Sequence, residues 1–246
     1  MELYFIRHGQ SQNNANWHNP DYTESPDPEL TEIGYEQARC LADFLKKKQA
    51  LIDKPGWNDQ NRVGFGFTHL YTSLMKRAVN TALPTARALE LPFAAWAEIH
   101  EEGGIFSRED GSNLVGLPGN PRSYFELNYP ELKLPEHLDE TGWWNRPFEA
   151  EDQRQLRAEK FLTELLARHG DRDGQPEQRV VLFSHGGFFM RLMCAMLNLP
   201  WRQAAHEHKS WFLLNNGSIS RFNFRKNELV ICYINRTDHL PDTLIT

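Results

Sequence analysis

The chain has 246 residues with a formal net charge of −6, and 40% of them are hydrophobic and 24% charged. This composition is typical of a soluble globular protein, and it excludes collagen-like, low-complexity and intrinsically disordered chains. The excess of acidic over basic residues also argues against nucleic acid as a partner, because binding a polyanion needs a basic surface.

Several features of the sequence indicate a cytoplasmic protein. No stretch approaches the roughly 18 apolar residues that a membrane-spanning helix needs, so no membrane partner is expected. The apolar part of residues 1–8 is too short for a secretory signal peptide. The three cysteines, Cys40, Cys194 and Cys232, are widely spaced, which favours buried thiols over a disulfide framework or a zinc site.

Short apolar runs alternate with helical periodicity through the first hundred residues. Thr31 followed by Glu32 is typical of a helix N-terminus, and the lysines at 46–48 suit the C-terminus of the same helix. The predicted elements are a strand at 3–6, a helix from Thr31 to about Lys48, a strand at 67–71, a helix capped by Thr72 and Ser73 that continues to about Leu89, and a weaker strand at 93–99.

The segment at 103–148 is rich in glycine, proline, asparagine and aromatic residues and has little periodicity. We interpret it as a long insertion over the core, of the kind that often serves as a lid or a specificity element. Its paired tryptophans at 143–144, with the nearby Arg122, Tyr124 and Arg146, either line a substrate entrance or anchor the insertion on the core.

Regular patterns return in the last hundred residues. The predicted elements are a helix at 151–169, a buried strand at 179–184, a helix from 186 to about 197, a hairpin of 211–214 and 219–224 that turns at Asn216 and Gly217, and a strand at 229–234. Strands that alternate with helices predict an α/β fold, with a mostly parallel sheet and an antiparallel edge. We expect one domain, residues 1–246, that carries the insertion at about 103–148.

Imidazole and guanidinium groups recur where predicted strands end. His8 follows the first strand, Arg77 lies shortly after the strand at 67–71, and His185 follows the strand at 179–184. If these strands are parallel neighbours, the side chains converge with Arg7 on one crevice at the carboxyl edge of the sheet. Such a cluster beside a helix N-terminus predicts a site for a tetrahedral oxyanion such as phosphate.

Arg7, His8 and Gly9, directly after the first strand, resemble the signature of the histidine phosphatase superfamily, which includes the cofactor-dependent phosphoglycerate mutases. Outside 103–148, further motifs follow in the family's order along nearly the whole chain. These are Ser11 and Asn14, then Leu30-Thr31-Glu32-x-Gly34-x-x-Gln37-Ala38, Tyr71-Thr72-Ser73-x-x-x-Arg77-Ala78-x-x-Thr81-Ala82, Phe183-Ser184-His185-Gly186 and Asn216-x-Ser218-Ile219. The resemblance implies a phosphoglycerate mutase-like three-layer α/β sandwich with a central, mostly parallel sheet and an inserted lid segment.

The same resemblance implies a phosphoryl transfer without a metal or other cofactor. His8 becomes the nucleophile that forms phosphohistidine, which requires a neutral ring held in one tautomer. Side chains around it stabilise the charge on the phosphoryl oxygens. The residues that the resemblance places in this phosphate-binding set are Arg7, Asn14, Arg77, His185 and Gly186.

A carboxyl group must protonate the leaving alkoxide and later activate the hydrolytic water. The resemblance implies that this group comes from the segment at 98–104, whose spacing departs from that of the mutases. We favour Glu101, since a glutamate shortly before a Gly-Gly pair occurs in phosphatase-like members. Glu98 and Glu102 remain alternatives.

His206 and His208 suggest a metal pair, but residues two apart do not share a helix face. We favour a surface position or a contact with the lid segment for both, and no metal site is expected.

The sequence therefore predicts a phosphatase that hydrolyses the phosphomonoester of a small metabolite. The alternatives are a cofactor-dependent mutase and a non-catalytic phosphoryl-binding protein. The mutase is disfavoured because its additional basic residues and its motif beside the acid are not recognisable around residues 98–104, and the binder because Arg7, His8 and His185 are all present.

Overall fold

Seven strands form the central sheet in the computed structural model, which describes residues 1–50, 60–109, 113–207, 209, 211–226 and 228–246, without the side chains of residues 205 and 206. The chain also forms a separate two-stranded hairpin. The strands are β1 (Glu2–Arg7), β2 (His69–Thr72), β3 (Phe93–Ala95), β4 (Phe106–Glu109), β5 (Asn113–Gly116), β6 (Leu132–Lys133), β7 (Arg179–Ser184), β8 (Ile219–Arg225) and β9 (Glu228–Arg236).

The order of strands in the main sheet is β6-β3-β2-β7-β1-β8-β9. The first five are parallel, whereas β8 and β9 are antiparallel to their neighbours. β1 pairs with β7 as far as Arg7 and Ser184, and β2 pairs with β7 as far as Thr72 and Phe183. The three strands therefore end at one level. The pairing directions confirm the predicted sheet, which is mostly parallel with an antiparallel edge.

Helices cover both faces of this sheet. They are α1 (Gln12–Ala15), α2 (Glu32–Lys47), α3 (Lys76–Leu89), α4 (Arg122–Asn128), α5 (Glu151–His169) and α6 (Gly186–Met196). On one face, α2 and α3 pack against alternate residues of the strands, such as Tyr4 and Val181. On the other face, α5 and α6 pack against the residues between them, such as Phe5 and Leu182. Strands buried on both faces explain the continuous apolar runs in the sequence.

Two predicted elements are wrong in detail. The strand expected at 93–99 ends at Ala95, and a 3₁₀ turn follows at Ala97–Ile99. The segment at 211–214 is not a strand, because the partner of β8 across the tight hairpin is β9. β8 also pairs with β1, so the edges on both sides of β8 are already occupied.

The inserted segment lies partly in the core. Its β6 extends the main sheet beside β3, and Trp143 and Trp144 are both buried. Arg122 donates to the carbonyl oxygens of Leu138 and Pro135, and the guanidinium of Arg146 lies 4.1 Å from the Trp144 ring centroid. These contacts support the alternative in which the residues anchor the inserted segment on the core.

No helix of the described residues combines the length and apolarity that crossing a membrane requires. The expected surface position of His206 and His208 falls outside the described side chains.

Candidate active site

His8 is the centre of the site, and its side chain is buried, with 2% of the residue exposed. Nδ1 donates to the Gly9 carbonyl oxygen at 2.7 Å, and Nε2 accepts from Arg77 Nε at 3.2 Å. Burial is the main cause that holds the pKa of His8 well below its usual range, and the charges of Arg77 and Arg7 act in the same direction. The ring is therefore neutral, and the lone pair lies on Nε2, where it accepts from Arg77.

Close backbone contact holds the loop that carries His8. A Cβ atom at residue 9 would lie 2.6 Å from the Gly34 carbonyl oxygen, and one at residue 34 would lie 2.1 Å from the Gln10 carbonyl oxygen. Gly9 N also donates to Thr81 Oγ1 on α3, at 3.0 Å. Only glycine lets the start of α2 approach this loop so closely.

Two arginines flank the His8 ring. Arg77, in the first turn of α3, is buried and donates to Nε2 of His8. Arg7, the last residue of β1, donates from Nη1 to the Leu214 carbonyl oxygen. Its buried Nε has no hydrogen-bond partner among the described residues. Arginine remains charged even when buried, so two cations face the nucleophile.

His185 lies on the other side of His8, with 5.1 Å between the ring centroids. It directly precedes α6 and is fully buried. Nε2 is 2.9 Å from Ser73 Oγ, and the buried Nδ1 has no partner within the described part of the chain. Burial, with Arg77 next, holds the pKa of His185 well below its usual range. The His185 ring is therefore neutral. A neutral imidazole can still form a hydrogen bond to a phosphoryl oxygen.

The structure distinguishes the three candidate acids by position. Glu101 lies in the wall of the cavity that contains His8, and Oε1 accepts from Phe188 N at 3.0 Å in the first turn of α6. Glu102 lines the same cavity but is bound by Arg154 and Arg191. Glu98 is absent from this wall, since it lines a different depression beside α5. Glu101 thus lines the cavity with a carboxylate that accepts from the backbone N–H groups of Glu102, Gly187 and Phe188, whereas that of Glu102 is bound by arginines.

The two remaining predicted residues lie at the same edge. Asn14 Oδ1 accepts from Ser11 N at 3.2 Å and from Asn216 Nδ2 at 3.1 Å. These bonds occupy its oxygen, so its NH₂ group is the part that can reach a ligand. Gly186 begins α6, and a Cβ atom there would lie 3.6 Å from Arg7 Nε. The start of α6 therefore borders the Arg7 guanidinium.

The cavity has a volume of about 800 Å³. We call its inner part the lining residues His8, Arg7, Arg77 and Glu101, none of which is exposed. The outer part contains residues that the sequence did not single out, from α1, the segment after it and β4: Asn13, Asn16, Trp17, Asn19, Tyr22, Thr23, Glu24, Phe106, Ser107 and Arg108. Among the described residues, no group of three or more histidine, cysteine or acidic side chains is arranged to hold a metal ion.

Asp27 is a further residue that the sequence did not single out. Its Oδ1 accepts from Lys76 N at 3.1 Å, and its Oδ2 accepts from Asn120 Nδ2 at 3.2 Å. Burial raises the pKa of Asp27 to about 6, although the charges of Arg77 and Lys76 act against this rise. Asp27 thus supplies the start of α3 with a hydrogen bond one residue before Arg77. The prolines and acidic residues at 20–28 indicate only a loop, so the sequence carries no signal that Asp27 contacts α3.

Comparisons with known proteins point to one family. The family model described as histidine phosphatase superfamily, branch 1, matches residues 3–53 and 118–237. The chain is 27% identical over 252 aligned residues to phosphoserine phosphatase 1 of Hydrogenobacter thermophilus, covering 98% of this chain and 95% of that one. It is 26% identical over 204 residues to the glucosyl-3-phosphoglycerate phosphatase of Mycobacterium tuberculosis, covering 80% and 76%.

The fold also matches solved structures. One is a mutant phosphoserine phosphatase from Entamoeba histolytica in complex with phosphoserine, with a TM-score of 0.57 and 20% identity over 98% of this chain and 99% of that one. At this identity the match shows the fold, and it supports the three-layer α/β architecture with helices on both faces of the sheet.

Proposed function

The chain belongs to branch 1 of the histidine phosphatase superfamily and is a phosphatase, and from this premise we propose that it hydrolyses phosphomonoesters through a phosphohistidine on His8. The observation that carries the proposal is the hydrogen bond from His8 Nδ1 to the Gly9 carbonyl oxygen. It leaves Nε2 unprotonated beside Arg77 Nε, with the His185 ring centroid 5.1 Å from that of His8.

In the first step, His8 Nε2 attacks the phosphorus atom in line with the ester oxygen. The new N–P bond forms as the P–O bond breaks, and the leaving alkoxide takes a proton from Glu101. Arg77 releases Nε2 and binds a phosphoryl oxygen, together with Arg7 and His185. These groups stabilise the charge that moves onto the equatorial oxygens.

In the second step, water attacks the phosphorus atom on the side that the alcohol has left. Glu101 accepts a proton from this water, the N–P bond breaks, and the electron pair returns to Nε2. His8 is then neutral again, with its proton on Nδ1 and its original bond to Gly9. The products are inorganic phosphate and the free alcohol.

The test is release of phosphate from a chromogenic aryl phosphate in the presence of a chelator. We expect His8→Ala to lower kcat/KM by at least 1,000-fold, since removal of a nucleophile removes the covalent route. His137→Ala is the matched control, because His137 is exposed in the inserted segment. Activity that survives in His8→Ala contradicts the nucleophile, and activity abolished by the chelator indicates a metal-dependent reaction instead.

A separate measurement distinguishes hydrolysis from transfer. We expect water to be the acceptor, so that isomerisation of phosphoglycerates is slower than phosphate release with or without a bisphosphate primer. Isomerisation faster than hydrolysis would show a mutase. A panel of phosphorylated metabolites, measured in parallel, identifies the natural class of ester.

A further inference from the structure

The cavity is much larger than a phosphoryl group, and its outer part differs chemically from its inner part. The inner part carries Arg7, Arg77 and Glu101 around the nucleophile, whereas the outer wall is formed mainly by amides, hydroxyls and aromatic rings. The group that lies against this outer wall in the bound ester must be the alcohol. Its chemistry can therefore be inferred from the wall.

Trp17 is the largest side chain of that wall. It lies two residues after the end of α1, and 73% of the residue is exposed although it lines the cavity. An indole ring offers a wide apolar face and one N–H donor, which suits a ligand with an apolar face and polar edges. Phe106 lines the cavity as well, but its ring packs on Phe148 with 4.8 Å between the centroids.

Hydrogen-bonding groups beside Trp17 are only partly used within the protein. Asn16 Nδ2 donates to the Gln12 carbonyl oxygen, and Asn19 Oδ1 accepts from Asp21 N. The bonds formed by these two residues leave Asn16 Oδ1 as an acceptor and Asn19 Nδ2 as a donor for a ligand. A wall with both kinds of group matches hydroxyls, because a hydroxyl both donates and accepts.

The charge of the outer wall does not match a second anionic group. Its described charged members are Arg108 on β4 and Glu24 in the facing segment, and they are opposite in sign. A bisphosphorylated acid would meet the Glu24 carboxylate as well as the cation. A neutral, polar alcohol fits this balance better.

We infer that the outer wall is a subsite for a ring bearing several hydroxyls, a sugar or sugar-like ring, in the alcohol part of the substrate, with Trp17 as its stacking platform. The inference rests on the proposed function, because the ester is placed by its phosphoryl group at His8. Trp17 and the amides of Asn16 and Asn19 then select among alcohols, and take no part in the transfer of the phosphoryl group.

The experiment compares glucose 6-phosphate with glycerol 3-phosphate, which has hydroxyls but no ring. In the unchanged protein we expect kcat/KM to be at least 10-fold higher for the sugar phosphate. Trp17→Ala should lower kcat/KM for glucose 6-phosphate about 10-fold, mainly by raising KM, and change that for glycerol 3-phosphate less than 2-fold. Trp17→Phe should retain most of the preference, because it keeps an aromatic face.

Trp211→Ala is the control, since Trp211 is also largely exposed and does not line the cavity. No preference for the sugar phosphate, or an equal loss on both esters in Trp17→Ala, would overturn the subsite. Glycerol 3-phosphate hydrolysis that depends on His8 would then still support the proposed phosphatase. If neither ester is hydrolysed and the aryl phosphate does not depend on His8, the proposed mechanism fails, and the subsite fails with it.

Discussion

Each ring nitrogen of His8 has a distinct partner, and this arrangement determines what the residue can do. The Gly9 carbonyl oxygen accepts from Nδ1, and Arg77 occupies Nε2. Because Arg77 is a donor, it can approach Nε2 only while that nitrogen is unprotonated. The resting site therefore keeps the nucleophile neutral, with its lone pair covered by a cation that must move when a phosphoryl group enters.

Glu101 is best tested through the leaving group. We predict that Glu101→Gln lowers kcat about 100-fold or more for an alkyl phosphate, because an alkoxide needs a proton as it departs. For p-nitrophenyl phosphate the loss should be less than 10-fold when the first step limits the rate, since this phenolate departs with little help. The measurement is kcat for both esters in the same preparation.

Glu98→Gln serves as the control for this prediction, because Glu98 lines a different depression. It should leave both rates within 2-fold. Equal losses on both esters in Glu101→Gln would contradict a role as proton donor to the leaving group.

The spacing of residues in the sequence predicted the main groups of the site but could not distinguish between the neighbouring glutamates at 98–102. His8, Arg77 and His185 could be predicted to converge, because each follows a strand of one parallel sheet. The choice among the glutamates at 98–102 depends on which carboxylate Arg154 and Arg191 bind, and those arginines lie about fifty and ninety residues further along. Spacing within the segment contains no information on that pairing.

At the scale of elements, α3 depends on a residue from another part of the chain. The residue at its N-cap, Met75, provides no side-chain hydrogen bond. Asp27 accepts from Lys76 N instead and joins the same position to Asn120 of the inserted segment. The predicted cap at Thr72 and Ser73 is wrong in this respect, although Ser73 Oγ does accept from Met75 N.

Removing this bridge should affect both stability and catalysis. We predict that Asp27→Ala lowers the free energy of unfolding by about 1 kcal/mol, as loss of a helix cap does. It should also lower kcat/KM about 10-fold, because the first turn of α3 positions Arg77. Asp27→Asn, which keeps one acceptor, should recover part of both losses.

Urea unfolding and steady-state kinetics provide the two measurements. Asp21→Ala is the matched control, since Asp21 is exposed in the same segment and bonds there through its backbone. A stability loss in Asp27→Ala with unchanged kcat/KM would contradict the link to Arg77.

Elements were predictable where the pattern is local and long. The helix at 151–169 and the strand at 179–184 have the predicted bounds, because periodicity and apolar runs determine them. The segment at 211–214 was expected to be a strand on the same grounds. It is not one, because β1 and β9 hold the two edges of β8, and pairing over such distances leaves no mark in a short window of sequence.

At the scale of the whole molecule, burying neutral histidines links stability to pH. Burial holds the pKa values of His8, His100 and His185 well below the ordinary value. Below about pH 6.5 the unfolded chain binds protons at these positions and the folded chain does not. The contribution of these neutral histidines to the free energy of unfolding is therefore complete above that pH and decreases as the pH falls below it.

His100→Asn tests this link, because His100 is fully buried and outside the set proposed to contact the phosphoryl group. We predict that its free energy of unfolding depends less on pH than that of the unchanged protein, by up to about 1.4 kcal/mol per pH unit between pH 6 and 5. Urea unfolding at several pH values measures the difference. The exposed His137→Asn is the control, and parallel curves for His100→Asn and the unchanged protein would contradict the prediction.

The contact between Gly9 and Gly34 has a consequence for how such sequences can vary. A Cβ atom at residue 9 would collide with the Gly34 carbonyl oxygen, and a Cβ atom at residue 34 would collide with the Gln10 carbonyl oxygen. Because both obstacles are backbone atoms, no smaller side chain elsewhere can make room for a replacement at either glycine. A library randomised at both positions should return active clones with glycine at the two sites together.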